Sequence, residues 1–231
     1  AIPMIANALL SERARQLRQQ STERREQALH TAARYGWKAR GTKGSTVFHI
    51  KQIKDDMVYM RTTRNLNAAI SSNTHRTRSV FPYTPSGAAQ LIGLWDGGGV
   101  RENHQELSGR ITSMESMSLS GHSTHVAGTI AAAGTDPDAI GMAPAALIDS
   151  YEFNDDTSEM TLRAMSTPGE AGMIQISNHS YGFSAGWDYH YDLPRWYGSW
   201  GDPESALFGI YDEQSAIWDN ICYEAPYYLP F

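Results

Sequence analysis

The sequence predicts an α/β protein built on a mostly parallel sheet and preceded by a small α+β unit, and three observations carry that expectation. Beyond residue 87, short apolar stretches alternate with helical ones, the order that joins parallel strands by crossovers. Before it, a long helix-forming stretch leads into a strand, a turn and a second strand. Between them, Asn65 to Ser86 is rich in Asn, Ser, Thr, Arg and Pro, with Pro82, Pro85 and Gly87 as breakers, which is the composition of a linker. Residues 1–87 are therefore read as one unit with its linker, and residues 88–231 as a second.

Taken in order, Ser11 to Tyr35 reads as a helix because Arg, Gln and Glu, all good helix formers, surround Ala14, Leu17, Ala28, Ala32 and Ala33 before Gly36 stops it. It is expected to be amphipathic and exposed. Thr46 to Ile53 alternates, with Val47, His49, Lys51 and Ile53 on one face; Lys54-Asp55-Asp56 then turns the chain into Met57 to Thr62, suggesting a hairpin. In the second unit, Gln90 to Trp95 is an apolar strand ending at Asp96 and a glycine run. Ser123 to Ala133 is a helix of small residues, and Ala146 to Tyr151 and Met173 to Ser177 are further strands. Ser205 to Tyr223 reads as helix and Tyr227 to Phe231 as a last strand.

Composition removes several functions. The single cysteine, Cys222, cannot close an internal disulfide, and no Cys/His cluster has zinc spacing. No apolar run approaches the ~18 residues of a membrane span, so a membrane is not an expected partner. Residues 1 to 90 hold 15 Lys and Arg against 5 Asp and Glu, whereas residues 91 to 231 hold 4 against 20. The basic residues lie in a helical stretch without interleaved aromatics, which argues against nucleic acid and for docking of the basic unit on the acidic one. The start Ala1-Ile2-Pro3 fits removal of a secretory leader and equally fits other amino-terminal trimming.

Three stretches carry chemistry: Leu94-Trp95-Asp96-Gly97-Gly98-Gly99, Gly121-His122-Ser123-Thr124-His125-Val126-Ala127-Gly128, and Ile140-Gly141-Met142-Ala143-Pro144-Ala145. A strand end fixes a carboxylate at the carboxyl edge of a parallel sheet, and a helix start fixes an imidazole. A carboxylate held at Nδ1 sets the tautomer and stabilises the imidazolium, as in a Ser-His-Asp triad. In order and spacing these stretches resemble the subtilase family of serine proteases, and Ile176-Ser177-Asn178-His179-Ser180-Tyr181-Gly182 is similar to the family strand that pairs with substrate backbone. Ser123 stands where the family has glycine, and Trp95 is unusually large before the aspartate.

The resemblance implies a subtilisin-like three-layer sandwich, a propeptide-like role for residues 1–87, and a secreted or periplasmic serine endopeptidase. Asp96 and His122 are then catalytic, Ser180, Tyr181 and Gly182 bind peptide or protein substrate, and no cofactor takes part in catalysis. It also implies structural calcium, although no complete calcium-loop motif is present, so metal ligands are unassigned. The family's nucleophilic serine comes later than Phe231, so it is expected on a carboxy-terminal remainder carried as a partner. A catalytically inactive binding or inhibitory module is the alternative.

Other features compete. His125, one turn from His122, reads as a buried support residue, because His-x-x-His without a carboxylate on the same helix is weak for zinc. A metal-dependent hydrolase using both histidines is the rival enzyme class. His190, flanked by Asp188 and Asp192, reads as part of a solvated patch. Gly182-Phe183-Ser184-Ala185-Gly186 matches a nucleophile-elbow pattern, but an elbow needs a helix after the serine, and Trp187 to Tyr191 reads as a polar aromatic loop.

Overall fold

The computed structural model describes residues 2–43, 46–54, 57–63, 85–136, 139–190 and 193–231. Five parallel strands make the main sheet: β4 (Leu91–Asp96), β5 (Ile111–Ser113), β6 (Leu147–Glu152), β7 (Ile176–His179) and β11 (Leu229–Pro230), in the order β11-β7-β4-β6-β5. Strand β4 is central, and its residues alternate between two cores. Leu94 packs with Val100, Leu107, Val126, Ala127, Ala131 and Ile148 on the side of helix α2 (Gly121–Ala131). Trp95 packs on the other side with Tyr151, Met160, Ile174, Ile217 and Ile221, under helices α3 (Asp156–Arg163) and α4 (Glu213–Glu224). Helix, sheet and helix thus form the three-layer α/β sandwich.

The amino-terminal unit comprises helix α1 (Ile2–Arg34) and the antiparallel strands β1 (Arg40–Lys43), β2 (Thr46–Lys54) and β3 (Met57–Thr63). Strand β3 also pairs with β8 (Tyr181–Phe183), which makes one four-stranded sheet, β1-β2-β3-β8, from residues of both units. The helix is longer than its composition predicts, and it is not simply exposed. Ala14, Leu17, Ser21, Ala28 and Ala32 are buried, and they recur at three-, four- or seven-residue spacing along one face. Leu17 joins the core beneath Trp95, whereas Ala28 and Ala32 pack with Ile50 and Met60 of the small sheet. Small residues let the helix approach closely; the abundant Arg, Gln and Glu hide that stripe from a composition-based reading.

Several boundaries move. Strand β7 begins three residues later than the apolar signal at Met173, because register with β4 sets Ile176 opposite Ile92, and it runs on past Ser177 through Asn178 and His179, which no hydrophobic pattern announces. Helix α4 begins at Glu213 and not near Ser205, because Asp212 caps it, its Oδ1 accepting the Ser215 N–H at 2.9 Å. The aromatic loop expected after Ser184 is a hairpin of β9 (Gly186–His190) and β10 (Leu193–Tyr197). Most of the linker from Asn65 to Ser86 lies outside the described residues, as does the Asp55-Asp56 turn. Among the described residues no helix is long and apolar enough to cross a membrane.

Candidate active site

Asp96 ends β4 and is fully buried, with its Oδ1 accepting the N–H of Gly97 at 2.6 Å. Helix α2 starts one residue before His122. Ser120 caps it by accepting the Ser123 N–H at 3.2 Å, which satisfies one of the free donors of the first turn. The imidazole is therefore fixed by regular backbone, and its Nδ1 lies 2.8 Å from Asp96 Oδ2 and 3.0 Å from Oδ1. His122 is 5% exposed, and its Nε2 is buried without a hydrogen-bond partner among the described residues. The site thus holds an Asp-His pair with one ring nitrogen engaged and the other unsatisfied.

The third sequence stretch has a supporting task. Gly141 donates its N–H to Ala132, Met142 to Thr129 and Ala143 to Ile130, so the turn satisfies carbonyls at the carboxyl end of α2. A Cβ on Gly141 would lie 2.4 Å from the Ala132 backbone nitrogen, so only glycine permits that approach. The spacing between the histidine and the Gly-Met-Ala-Pro turn is the length of the helix plus its return.

Trp95 has a place built for it. Its ring stacks between Tyr151, at 4.4 Å and 6°, and His179, at 5.1 Å and 10°. Gly93, two residues earlier on the same face, makes the room, because a Cβ there would meet the indole at 2.3 Å. The indole Nε1 donates to Glu159 Oε2 at 2.9 Å. Burial raises the Glu159 carboxyl to about 8, nearby Glu115 adds to the rise, and the Trp95 hydrogen bond and Arg18 oppose it.

That shift gives an expected pH dependence. The folded state holds the Glu159 proton more tightly than the unfolded chain, so this contribution is fully present below about 4.5 and is lost as pH rises through about 8. Glu159→Gln keeps an acceptor for Trp95 without the charge. At pH 9 the variant should be the more stable by on the order of 3 kcal/mol, with little difference at pH 5. Thermal melts at the two pH values check it, and equal shifts at both would remove the titration as cause.

Ser180, Tyr181 and Gly182 follow β7 at the same sheet edge as Asp96. Ser180 Oγ donates to Asn178 Oδ1 at 2.9 Å, and Tyr181 donates its hydroxyl to Asp156 Oδ2 at 2.9 Å while lying 2.8 Å from His179 Nδ1. His179 Nε2 continues the chain to Ser177 Oγ at 2.8 Å, which lies 2.5 Å from the Tyr228 hydroxyl. This buried network ties the edge strand to the sheet, and residue spacing alone gives no sign of it.

A second group that the motifs do not announce is the acidic floor made by Glu152 at the end of β6 and Asp156 at the start of α3, with the amide Asn154 between them. The amino-terminal unit covers it. His49 Nδ1 lies 3.1 Å from Glu152, Lys51 Nζ lies 3.7 Å from the fully buried Asp156 and donates to the Asn154 carbonyl, and Ser21 donates to that same carbonyl at 3.1 Å. Arg24 pairs with Glu213 at 3.1 Å and Arg13 with Glu224 at 3.8 Å. The segregation of charge along the sequence is the visible trace of these contacts.

His125 is corrected by its position: it is exposed, and with His104 it lines a recess on the outer face of α2, away from the support role expected of it. Ser184 is followed by strand β9 and donates to Asp188 at 3.0 Å, so the elbow pattern has no elbow geometry. Asp192 and the side chain of His190 lie outside the described residues. Among the described residues no group of three or more His, Cys, Asp or Glu could hold a metal ion.

A parallel α/β sheet with its buried Asp-His pair at the carboxyl edge places this chain among α/β proteins whose sites lie where the strands end. Residues 88–214, more than half of the chain, match the subtilase family, and the chain belongs to that family of serine proteases. A search of curated proteins finds no match.

Proposed function

We propose that the protein is a serine endopeptidase in which Asp96 and His122 act with a serine supplied by sequence beyond Phe231. One observation carries the reading: His122 is buried, holds Asp96 at Nδ1, and has no partner at Nε2 among the described residues. The serine hydroxyl meets His122 Nε2, which takes its proton during attack on a peptide carbonyl and then gives it to the leaving amine. Asp96 keeps Nδ1 protonated and stabilises the imidazolium. Backbone and asparagine donors from the serine-bearing part hold the oxyanion. No cofactor enters the reaction.

Substrate backbone adds as a strand beside Ser180, Tyr181 and Gly182. Residues 1–87 act as a propeptide-like unit and linker, and the pairing of β3 with β8 supports this because it occupies the edge a substrate needs. Secretion fits such a zymogen.

A fluorophosphonate reagent tests the reading on the complete protein. It should label one serine and stop peptide hydrolysis, whereas a chelator should leave the labelling unchanged. Activity that survives the phosphonate and is lost to the chelator would instead favour the metal-dependent use of His122 and His125.

A further inference from the structure

We infer that Tyr197, on the hairpin β9–β10, is a specificity-determining residue. It selects an unbranched apolar side chain, methionine above all, at the substrate residue that pairs with Ser184. The inference rests on the proposed protease reading and places recognition outside residues 180–182. It starts from the strand that occupies the substrate edge. Strand β3 lies antiparallel on β8, with Thr62 opposite Gly182 and Arg61 opposite Phe183. The Ser184 N–H then donates to the Met60 carbonyl at 3.1 Å, so the ladder runs one residue past β8 toward the hairpin. A peptide added to this edge in the same direction meets the same side chains in the same order.

Alternation along a strand sends Met60 and Thr62 to one face, and Tyr59 and Arg61 to the other. On the first face Met60 is 3% exposed and packs with Tyr197, whose hydroxyl donates to its sulfur at 3.4 Å. On the second, the Tyr59 ring meets Phe183 edge-on at 5.6 Å. Both walls are aromatic, and the first also aims a polar atom at the side chain it holds. A thioether is a weak acceptor on a flexible, unbranched chain, so it fills the wall and meets the phenol at once. A β-branched chain stops short of that hydroxyl, and a short polar one leaves the ring uncovered.

The supports of Tyr197 lie in the same unit as β8. It stands opposite Gly186 in the hairpin, where a Cβ would meet the Phe208 ring at 2.5 Å, so glycine lets that ring close on the hairpin base. Ser205, itself buried, donates its hydroxyl to the Tyr197 carbonyl at 2.8 Å, and the Arg195 guanidinium lies over the phenol ring at 5.5 Å. Ser184 Oγ donates to Asp188 Oδ2 at 3.0 Å, which ties the end of the substrate edge to β9. The rest of the Met60 pocket, Ala28, Ala32 and Ile50, belongs to the amino-terminal unit. What the hairpin offers an outside peptide is therefore the Tyr197 wall.

The test uses the complete protein, its serine-bearing part included, and a peptide series varied at each position upstream of the cut bond. At one position methionine should exceed norleucine, its sulfur-free isostere, about threefold in kcat/KM, and should exceed serine at least about tenfold. Tyr197→Phe should bring the methionine-to-norleucine ratio at that position to about one. Tyr197→Ala should also lower the methionine-to-serine ratio several-fold. Each ratio is taken within one protein, so a general folding defect leaves it alone.

Peptide hydrolysis with no position whose selectivity responds to either variant overturns the assignment and leaves the protease reading in place. A methionine-to-norleucine ratio that Tyr197→Phe does not move overturns the part given to the hydroxyl. A protein that hydrolyses no peptide sinks the protease reading and the inference with it.

Discussion

In the complete protein, His122→Ala should lower kcat for a peptide substrate by roughly four to six orders of magnitude, and Asp96→Asn by about 10⁴. The two losses have different causes. Without the imidazole no group takes the serine proton. With asparagine at position 96 the volume and a hydrogen bond remain, but the amide stabilises the wrong tautomer, with the proton on the nitrogen that must accept. Because Asp96 is fully buried and its Oδ1 also holds the Gly97 N–H, a larger replacement would confuse chemistry with folding, and asparagine avoids that. Steady-state hydrolysis alongside thermal melts checks both variants, and activity within tenfold of the parent would end the assignment of the pair.

Trp95→Ala should have the largest effect on stability, about 3–5 kcal/mol. The indole is fully buried, sits flat between Tyr151 and His179, and fills the room left by Gly93. Removing it opens a cavity beside Asp96 at the end of β4 and strips Glu159 of its hydrogen-bond donor, so a buried acceptor is left unmet. Trp95→Phe should lose clearly less, because an aromatic ring still fills much of the space. Denaturant unfolding of both variants measures the difference; a loss below 1 kcal/mol for alanine would mean that the surrounding core collapses onto the gap.

What the sequence makes legible is what local chemistry determines. Asp96 at a strand end and His122 at a helix start meet, and the Gly141 turn closes the far end of that helix, for reasons visible in order and spacing, and the apolar runs of β4 and β6 are plain. Strand β7 is harder to read because its ladder residues are Ser177, Asn178 and His179, held by neighbours and not by pattern. Short elements such as β5 and α3 lack the length for a periodic signal, and α3 is rich in polar residues that other elements bury. The Glu152 and Asp156 floor was hidden because nothing in an acidic loop tells which carboxylates will meet His49 and Lys51 from a hundred residues away. Long-range pairing of charge appears only as a bulk asymmetry.

Helix α1 has a consequence for the order in which the protein is made. Leu17 completes a core whose other members include Met160, Ile217 and Ile221. A ribosome adding about 5–20 residues per second has α1 synthesised roughly 10 to 35 seconds before the partners on α4 exist. During that interval Leu17 lacks its partners on α4, and Arg13 and Arg24 await Glu224 and Glu213. The arginines and glutamines of α1 keep the helix in solution while it waits, so the residues that disguise its buried face in the sequence also protect that face during translation.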